Sequence, residues 1–137
     1  MANALTPPAR ELLAKLGSIA RTDTTAKTLF GLPKNARIVG IYVIGGTASD
    51  AATTATIGIG STASANEYMA SYDVKTAATG VGYNPAGGKA VGSALATPVT
   101  SDINVYGIYA ESGTASTTGG PWVIKVEYYV CNPADTF

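Results

Sequence analysis

The chain has 137 residues, close to the usual size of one compact domain, and its nine Lys and Arg residues balance nine Asp and Glu residues. Charged residues make up 13% of the sequence, against about a quarter in an ordinary soluble domain, so we predict an unusually neutral surface. The cations are scattered from Arg10 to Lys125, which argues against the basic face that nucleic-acid binding requires.

The N-terminal segment predicts a short helix over residues 6–16. Thr6 can cap this helix, the two prolines that follow suit its first turn, and Gly17 can end it. A helix this short is stable only against another surface, either its own domain or a neighbouring subunit. We therefore predict an N-terminal arm over residues 1–22, and its candidate anchors for a partner contact share one face of the helix: Leu12, Leu13 and Leu16.

The remaining residues, 23–137, have the pattern of short β-strands separated by turn-forming clusters. The alternation of apolar residues with Thr and Gly over 53–60 is typical of a half-buried strand. In the clearest strand, Lys125 and Glu127 are predicted to face outward. Strands are predicted over residues 27–30, 36–44, 53–60, 72–77, 103–109 and 122–130.

Three stretches between these strands are less regular. Residues 66–70 fit either a helical turn or a strand, and residues 79–100 are predicted to be a loop with one weak strand. The Ser, Thr and Gly residues of 112–120 predict a mobile turn or tip. Six to eight short strands without helical crossovers favour an all-β fold, an antiparallel β-sandwich of jelly-roll type over residues 23–137.

The residue types that most enzymes depend on are scarce. The chain has no His, which removes the usual general base and metal ligand, and its single Cys131 can form neither an intrachain disulfide nor a zinc site. We expect no enzyme activity, no cofactor and no catalytic or metal site. The carboxylates weighed for acid–base chemistry or calcium all fall in turns, at strand edges or on polar faces: Asp50, Glu67, Asp73, Asp102, Glu111 and Glu127.

Eight tyrosines leave a second interpretation open. Exposed aromatic rings beside the 112–120 loop could stack on a sugar, whereas rings in the core or in subunit contacts would bury area and hydrogen-bond through their hydroxyls. We predict that most of them are core or contact residues. A carbohydrate- or receptor-binding module remains the alternative function.

The segment over residues 23–43 resembles the opening of small virion proteins of tailed bacteriophages, in which a strand, a turn and a strand begin a β-sandwich. Residues 56–60 and 123–129 resemble later strands of such proteins. The pattern F-x-LP-x-x-A-x-I carries the match through five residues: Phe30, Leu32, Pro33, Ala36 and Ile38.

The resemblance is to capsid decoration (cement) proteins, and the same pattern occurs in head-fibre bases and some tail components. It implies a structural protein on the outer surface of the phage head, made in the host cytoplasm, that binds the assembled major capsid protein shell and stabilises it. Its partners would be the major capsid protein and itself, as a homodimer or homotrimer. No nucleic-acid partner is expected, because the cations are scattered. No membrane partner is expected either, since no stretch approaches the ~20 apolar residues of a membrane span. The alternative module would belong to a head fibre or tail.

Overall fold

A computed structural model describes residues 11–75, the backbone of residues 83–85, and residues 98–131. These residues form eight β-strands and no helix, so none of them forms a helix that could cross a membrane. The strands in chain order are β1 (Leu13–Ile19), β2 (Lys27–Leu32), β3 (Ala36–Ile44), β4 (Thr54–Gly60), β5 (Met69–Asp73), β6 (Tyr83–Pro85), β7 (Ile103–Ser112) and β8 (Trp122–Val130).

The strands form two four-stranded antiparallel sheets. Sheet A has the order β1-β8-β3-β6, and sheet B has the order β2-β7-β4-β5. The first strand pairs with the last, the second with the seventh, the third with the sixth and the fourth with the fifth. Two further pairings, β3 with β8 and β4 with β7, join these hairpin-like pairs into the two sheets.

A single hydrophobic core lies between the sheets and makes the fold a β-sandwich. Alternate residues of each long strand point into it, as the period-two pattern predicts. Both sheets supply residues to the same cluster, and Trp122 is the largest fully buried side chain. The inward residues of the central strands are Ala36, Ile38, Ile41 and Val43 from β3; Ala55, Ile57 and Ile59 from β4; Val105 and Tyr109 from β7; and Trp122, Ile124, Val126 and Tyr128 from β8.

The predicted N-terminal helix is wrong in the part that can be compared. Residues 13–16 lie in β1, which pairs with β8 from Leu13 opposite Tyr128 to Ile19 opposite Trp122. Pairing with β8 satisfies the backbone groups on the free side of β8 and buries Ile19 in the core, whereas a helix this short is not stable without a surface to pack on. Residues 6–10 lie outside the described residues. The division of the chain into an arm over 1–22 and a sandwich over 23–137 stays a prediction.

The other strand predictions agree with the structure to within a few residues. β3 and β8 have the predicted bounds, β4 begins one residue later, and β2 and β7 run two and three residues further than predicted. β5 overlaps the end of the ambiguous segment 66–70, which is a strand there, and the first two residues of the predicted strand 72–77. β6 is a three-residue strand within the predicted loop 79–100, most of which lies outside the described residues.

Candidate assembly surface

The outward side of sheet A carries most of the exposed apolar surface in the described part of the chain. Leu12, Leu16 and Val39 are 48%, 61% and 49% exposed. The one other large exposed hydrophobic residue among those described is Val130, at the end of β8. Because an outward sheet face is normally polar, exposed leucine and valine side chains gathered on one face indicate a contact surface. We call the outward side chains of β1, β8 and β3, together with Leu12, the apolar face.

The three predicted anchors do not share one side of the chain. Leu13 points inward opposite Tyr128 and packs against the core, while Leu12 and Leu16 are exposed. Residues three apart lie on the same side of a helix but on opposite sides of a strand, which accounts for the difference. The role of Leu12, Leu13 and Leu16 in a partner contact stays a prediction.

Val39 was not among the sequence-predicted contact residues, and a β-bulge explains its exposure. The pairing of β3 with β8 shifts by one residue between Ile38 and Gly40, so Val39 is the extra residue and is left unpaired. The sequence pattern of β3 gives no indication that this valine is exposed. The glycine that follows it inside a strand is the one local sequence signal for a bulge.

The apolar face carries a charge of each sign at its centre. The Lys125 ammonium lies 4.0 Å from the Glu127 carboxylate, and both side chains are largely covered. Beside them the Tyr42 ring lies flat over Gly40, where an added Cβ would be 2.7 Å from the ring. The centre of the face is therefore level and neutral overall, as the low charge content of the sequence predicts.

The outward side of sheet B is different in character. It presents hydroxyls, including the Thr54 and Ser112 side chains, which hydrogen-bond at 2.6 Å. Near Gly58 and Gly60 it is covered by the loop over residues 61–68, and a Cβ on either glycine would collide with that loop. The two glycines are therefore required by close packing of a loop against β4.

Glu67 holds that loop in place. Its carboxylate accepts hydrogen bonds from the Thr62 hydroxyl and from the amides of Ser61 and Asn66. Burial alone would raise the pKa of Glu67, but these hydrogen bonds lower it. This carboxylate is committed to the protein's own backbone, which makes it a structural residue.

The Ser, Thr and Gly loop between β7 and β8 is tied to the connection between β3 and β4. Asp50 accepts hydrogen bonds from the Thr117 hydroxyl at 2.6 Å and from the amides of Thr117 and Thr118 at 2.8 Å each. These bonds, the Thr117 hydroxyl first, lower the pKa of Asp50 from 3.8 to about 2. The amides of Asp50 and Ala52 bond back to carbonyls of the same loop. The loop thus lies against the sandwich and does not project as a free tip.

Beneath this loop lies a buried polar cluster. The Tyr109 hydroxyl donates to the Glu111 carboxylate at 2.7 Å and shares a hydrogen bond of 2.8 Å with the Ser49 hydroxyl. Glu111 also accepts the Ser116 amide at 3.1 Å, and hydrogen bonds from Ser116 and Tyr109 lower the pKa of Glu111. The Tyr109 ring stacks on Trp122, with ring centroids 5.3 Å apart. The cluster anchors the loop to the core.

Several tyrosines are too deeply buried to stack on a sugar. Tyr109, Tyr68 and Tyr128 are buried in the core, and burial raises the pKa of Tyr68 and Tyr109. No described tyrosine is among the exposed large hydrophobic residues. Cys131 is buried as an unpaired thiol. Among the described residues, no three His, Cys, Asp or Glu side chains lie together in a way that could hold a metal ion.

A solved structure with a similar fold is a chain of the cyanophage Pam1 capsid asymmetric unit. The two chains superpose with a TM-score of 0.65 at 24% sequence identity, and the alignment covers 90% of this chain and 88% of that chain. The likeness at this identity is one of fold, and it extends over almost the whole of both chains. No protein-family model matches the sequence, and no curated relative matches it either.

Proposed function

We propose that this chain is a structural protein of a bacteriophage virion that binds the outside of the assembled major capsid protein shell and stabilises it. The observation that carries the proposal is the whole-chain fold likeness to a component of a phage capsid asymmetric unit. Because the alignment covers nearly all of both chains, the two proteins are similar in length as well as in fold. The likeness is therefore between whole chains and does not rest on a small shared motif.

The strand order supports a jelly roll, which is the finer form of the proposed fold. In a jelly roll, eight antiparallel strands form two Greek keys, and viral capsid proteins commonly use this fold. Pairing of strands one with eight, two with seven, three with six and four with five is what results when one long hairpin is wrapped into two sheets. The sheet orders 1-8-3-6 and 2-7-4-5 fit that wrapping.

The surface chemistry supports attachment to protein. The chain has no net charge, and the described surface includes an apolar face with Leu12, Leu16 and Val39 exposed. Apolar contacts of this size are individually weak. They become effective when they are repeated over a shell, because each copy that bridges neighbouring capsid subunits adds to the stability of the whole.

We further propose that the protein is not an enzyme. The sequence contains no His, and the carboxylates that could replace it are engaged in holding loops. Asp50, Glu67 and Glu111 each accept two or more hydrogen bonds from their own chain. Asp102 accepts the Lys34 amide at 2.8 Å. A carboxylate whose lone pairs are fixed in this way, with a lowered pKa in the case of Asp50, is a poor proton acceptor.

The proposal is tested by mixing the full-length protein with shells of the major capsid protein that lack it. We expect image reconstruction to show added density on the shell exterior, and we expect the decorated shells to rupture at a higher temperature than bare shells. Absence of exterior density at saturating protein would contradict the proposal. Binding on a glycan array without affinity for shells would favour the carbohydrate-binding alternative.

A variant tests the predicted anchors within the same assay. Leu12→Ala and Leu16→Ala remove exposed side chains, so the fold should survive while shell affinity falls if these leucines contact the shell. A matched control is Val130→Ala, which removes an exposed side chain outside the predicted anchors. Equal decoration by both anchor variants and by the parent protein would remove the anchor role.

A further inference from the structure

We infer that the apolar face is also where a second copy of this chain docks, face to face across a two-fold axis. This specifies the self-association that accompanies the proposed function, but the inference rests on the geometry of sheet A. Leu16 would then contact the second copy, and Leu12 would be left for the shell. The argument comes from two neighbouring rows of side chains on the face.

The two rows are complementary in charge, and at the β1 end they are complementary in size as well. In the first row, Leu16 and Tyr42 flank Lys125, since both residues are paired with it in the sheet. In the second row, Ala14 and Gly40 flank Glu127 in the same way. The first row is thus positive and the second is negative. On β1 the large Leu16 lies beside the small Ala14, whereas on β3 the Tyr42 ring covers Gly40 and levels the two rows.

A two-fold axis that runs across the strands between these rows lays each strand antiparallel over its own copy. Row one of each copy then faces row two of the other. Lys125 faces the second copy's Glu127, and Leu16 faces the second copy's Ala14. Sheets packed face to face lie ~10 Å apart, a gap that these long side chains can span. The contact is self-complementary, as a two-fold interface must be.

The ion pair within each chain favours this face-to-face arrangement. Lys125 and Glu127 are 4.0 Å apart within one chain, at the outer limit of a salt bridge. In the face-to-face arrangement the four charges form an alternating square, so each charge keeps its own partner and gains a second. A neutral face with both signs present carries no repulsion between identical copies.

Edge-to-edge pairing of sheets, the usual competing way for β-proteins to associate, is disfavoured at every sheet edge that the structure describes. On the β1 edge, Lys15 points inward opposite Val126 and lines a groove of about 460 Å³ between the sheets. An inward-pointing charge on an edge strand opposes the addition of another strand. The β2 and β5 edges contain register shifts, and β6 has only three residues. Faces are therefore better suited to assembly than edges.

The face is of modest size, which sets the expected affinity. Three strands of seven to nine residues cover on the order of 300–400 Å² in projection. Two copies together would bury about 600–800 Å², which is below the roughly 1,000 Å² of a stable interface, so the contact is a weak and transient one that depends on its paired charges. The dimer should therefore form and dissociate within about 1–100 μM protein.

Charge reversal provides the test. Lys125→Glu and Glu127→Lys each place four like charges at the interface, so each variant alone should dissociate at least about tenfold more readily than the parent in sedimentation equilibrium. Mixed one to one, the two variants should form a heterodimer, because every carboxylate again faces an ammonium. The double swap should also restore the dimer. Lys34→Glu, which makes the same charge change in the turn between β2 and β3, is the control and should dimerise like the parent.

A parent protein that stays monomeric to 100 μM (about the upper limit of the expected range), or variants that do not associate on mixing, would overturn the inference. If either charge variant loses its native circular dichroism, Leu16→Ser replaces it, since that side chain is 61% exposed and its replacement should weaken only the dimer. A monomeric parent whose shell binding is lost with Leu16→Ser would assign the face to the shell instead. A dimer that fails to bind shells would leave this inference standing and contradict the proposed function.

Discussion

Replacing Leu13 and Leu16 with Ala, one at a time, tests whether β1 has the register described. Leu13 packs against the core, and Leu16 is 61% exposed on the other side of the strand. Truncation of a completely buried leucine to Ala lowers the free energy of unfolding by about 2–5 kcal/mol. Leu13 is only partly buried, so we expect Leu13→Ala to lower the free energy of unfolding by about 1–2 kcal/mol.

Leu16→Ala should behave differently. A mostly exposed side chain contributes little to the fold, so its replacement should change the free energy of unfolding by less than about 0.5 kcal/mol. For a domain of this length, the difference between the variants corresponds to a melting temperature about 3–8 °C lower for Leu13→Ala.

Urea unfolding at low protein concentration is the appropriate assay, because dilution removes any contribution from self-association. Midpoints should be compared at constant m-value, so that the change reflects stability alone. If the leucines shared one face of a helix, the two variants would instead have similar stabilities. Equal destabilisation by the two replacements would therefore refute the strand register of residues 13–19.

Three further outcomes follow from the loops. Tyr109→Phe removes the hydroxyl of a buried cluster, so it should lower the free energy of unfolding in urea by about 1–3 kcal/mol. Tyr106→Phe, on the outward side of β7, is the control and should lower it by less. Equal losses would show that the cluster does not stabilise the fold. Hydrogen bonds from loop threonines hold the pKa of Asp50 at about 2, below its ordinary 3.8, so the stability lost in Asp50→Asn should be largest above pH 3.8 and shrink as the pH falls towards 2. A stability gap that does not change over that range would rule out the carboxylate as its source. Gly58→Ala should lower the free energy of unfolding by about 1–3 kcal/mol and speed amide hydrogen exchange in the covering loop. Gly31→Ala is the control, because its added Cβ has room, and it should do neither. Matching exchange rates in the two variants would show that the loop does not need Gly58.

Much of the sandwich could be predicted because period-two alternation directly reports which side of a strand is buried. β3, β4 and β8 have strong alternation, and the structure buries the residues that the pattern selects. Strand order was beyond such reasoning. It depends on pairings between residues far apart in the chain, such as Leu13 with Tyr128, that no local pattern encodes.

The N-terminal segment shows how local signals can mislead. A threonine, two prolines and a later glycine are typical helix boundaries, but residues 13–16 are in a strand because the edge of β8 offers seven residue pairings. Tertiary pairing outweighs a propensity difference of less than about 1 kcal/mol per residue. The error also altered the candidate site, since it placed Leu13 beside Leu12 and Leu16.

The loop over residues 112–120 was predicted to be mobile because its Ser, Thr and Gly residues lack apolar anchors of their own. The anchors come from elsewhere in the chain. Asp50 is more than 60 residues from the threonines that it holds, and the Arg21 guanidinium donates to the Ser116 carbonyl at 3.0 Å. A hydroxyl-rich loop is well suited to such fastening, because each side chain can donate as well as accept. Composition reports the capacity for hydrogen bonding, but it does not identify the partners.

The low charge of the sequence fits the way the protein is proposed to work. The nine cationic and nine anionic residues cancel, and Lys125 is paired with Glu127 at the centre of the apolar face, so the net charge does not direct long-range association. Contacts must then depend on short-range fit between apolar faces, which is weak for one copy and strong for an array. A protein that acts on an assembled surface benefits from that difference, because free copies associate only weakly, whereas copies on a shell are held by many contacts at once.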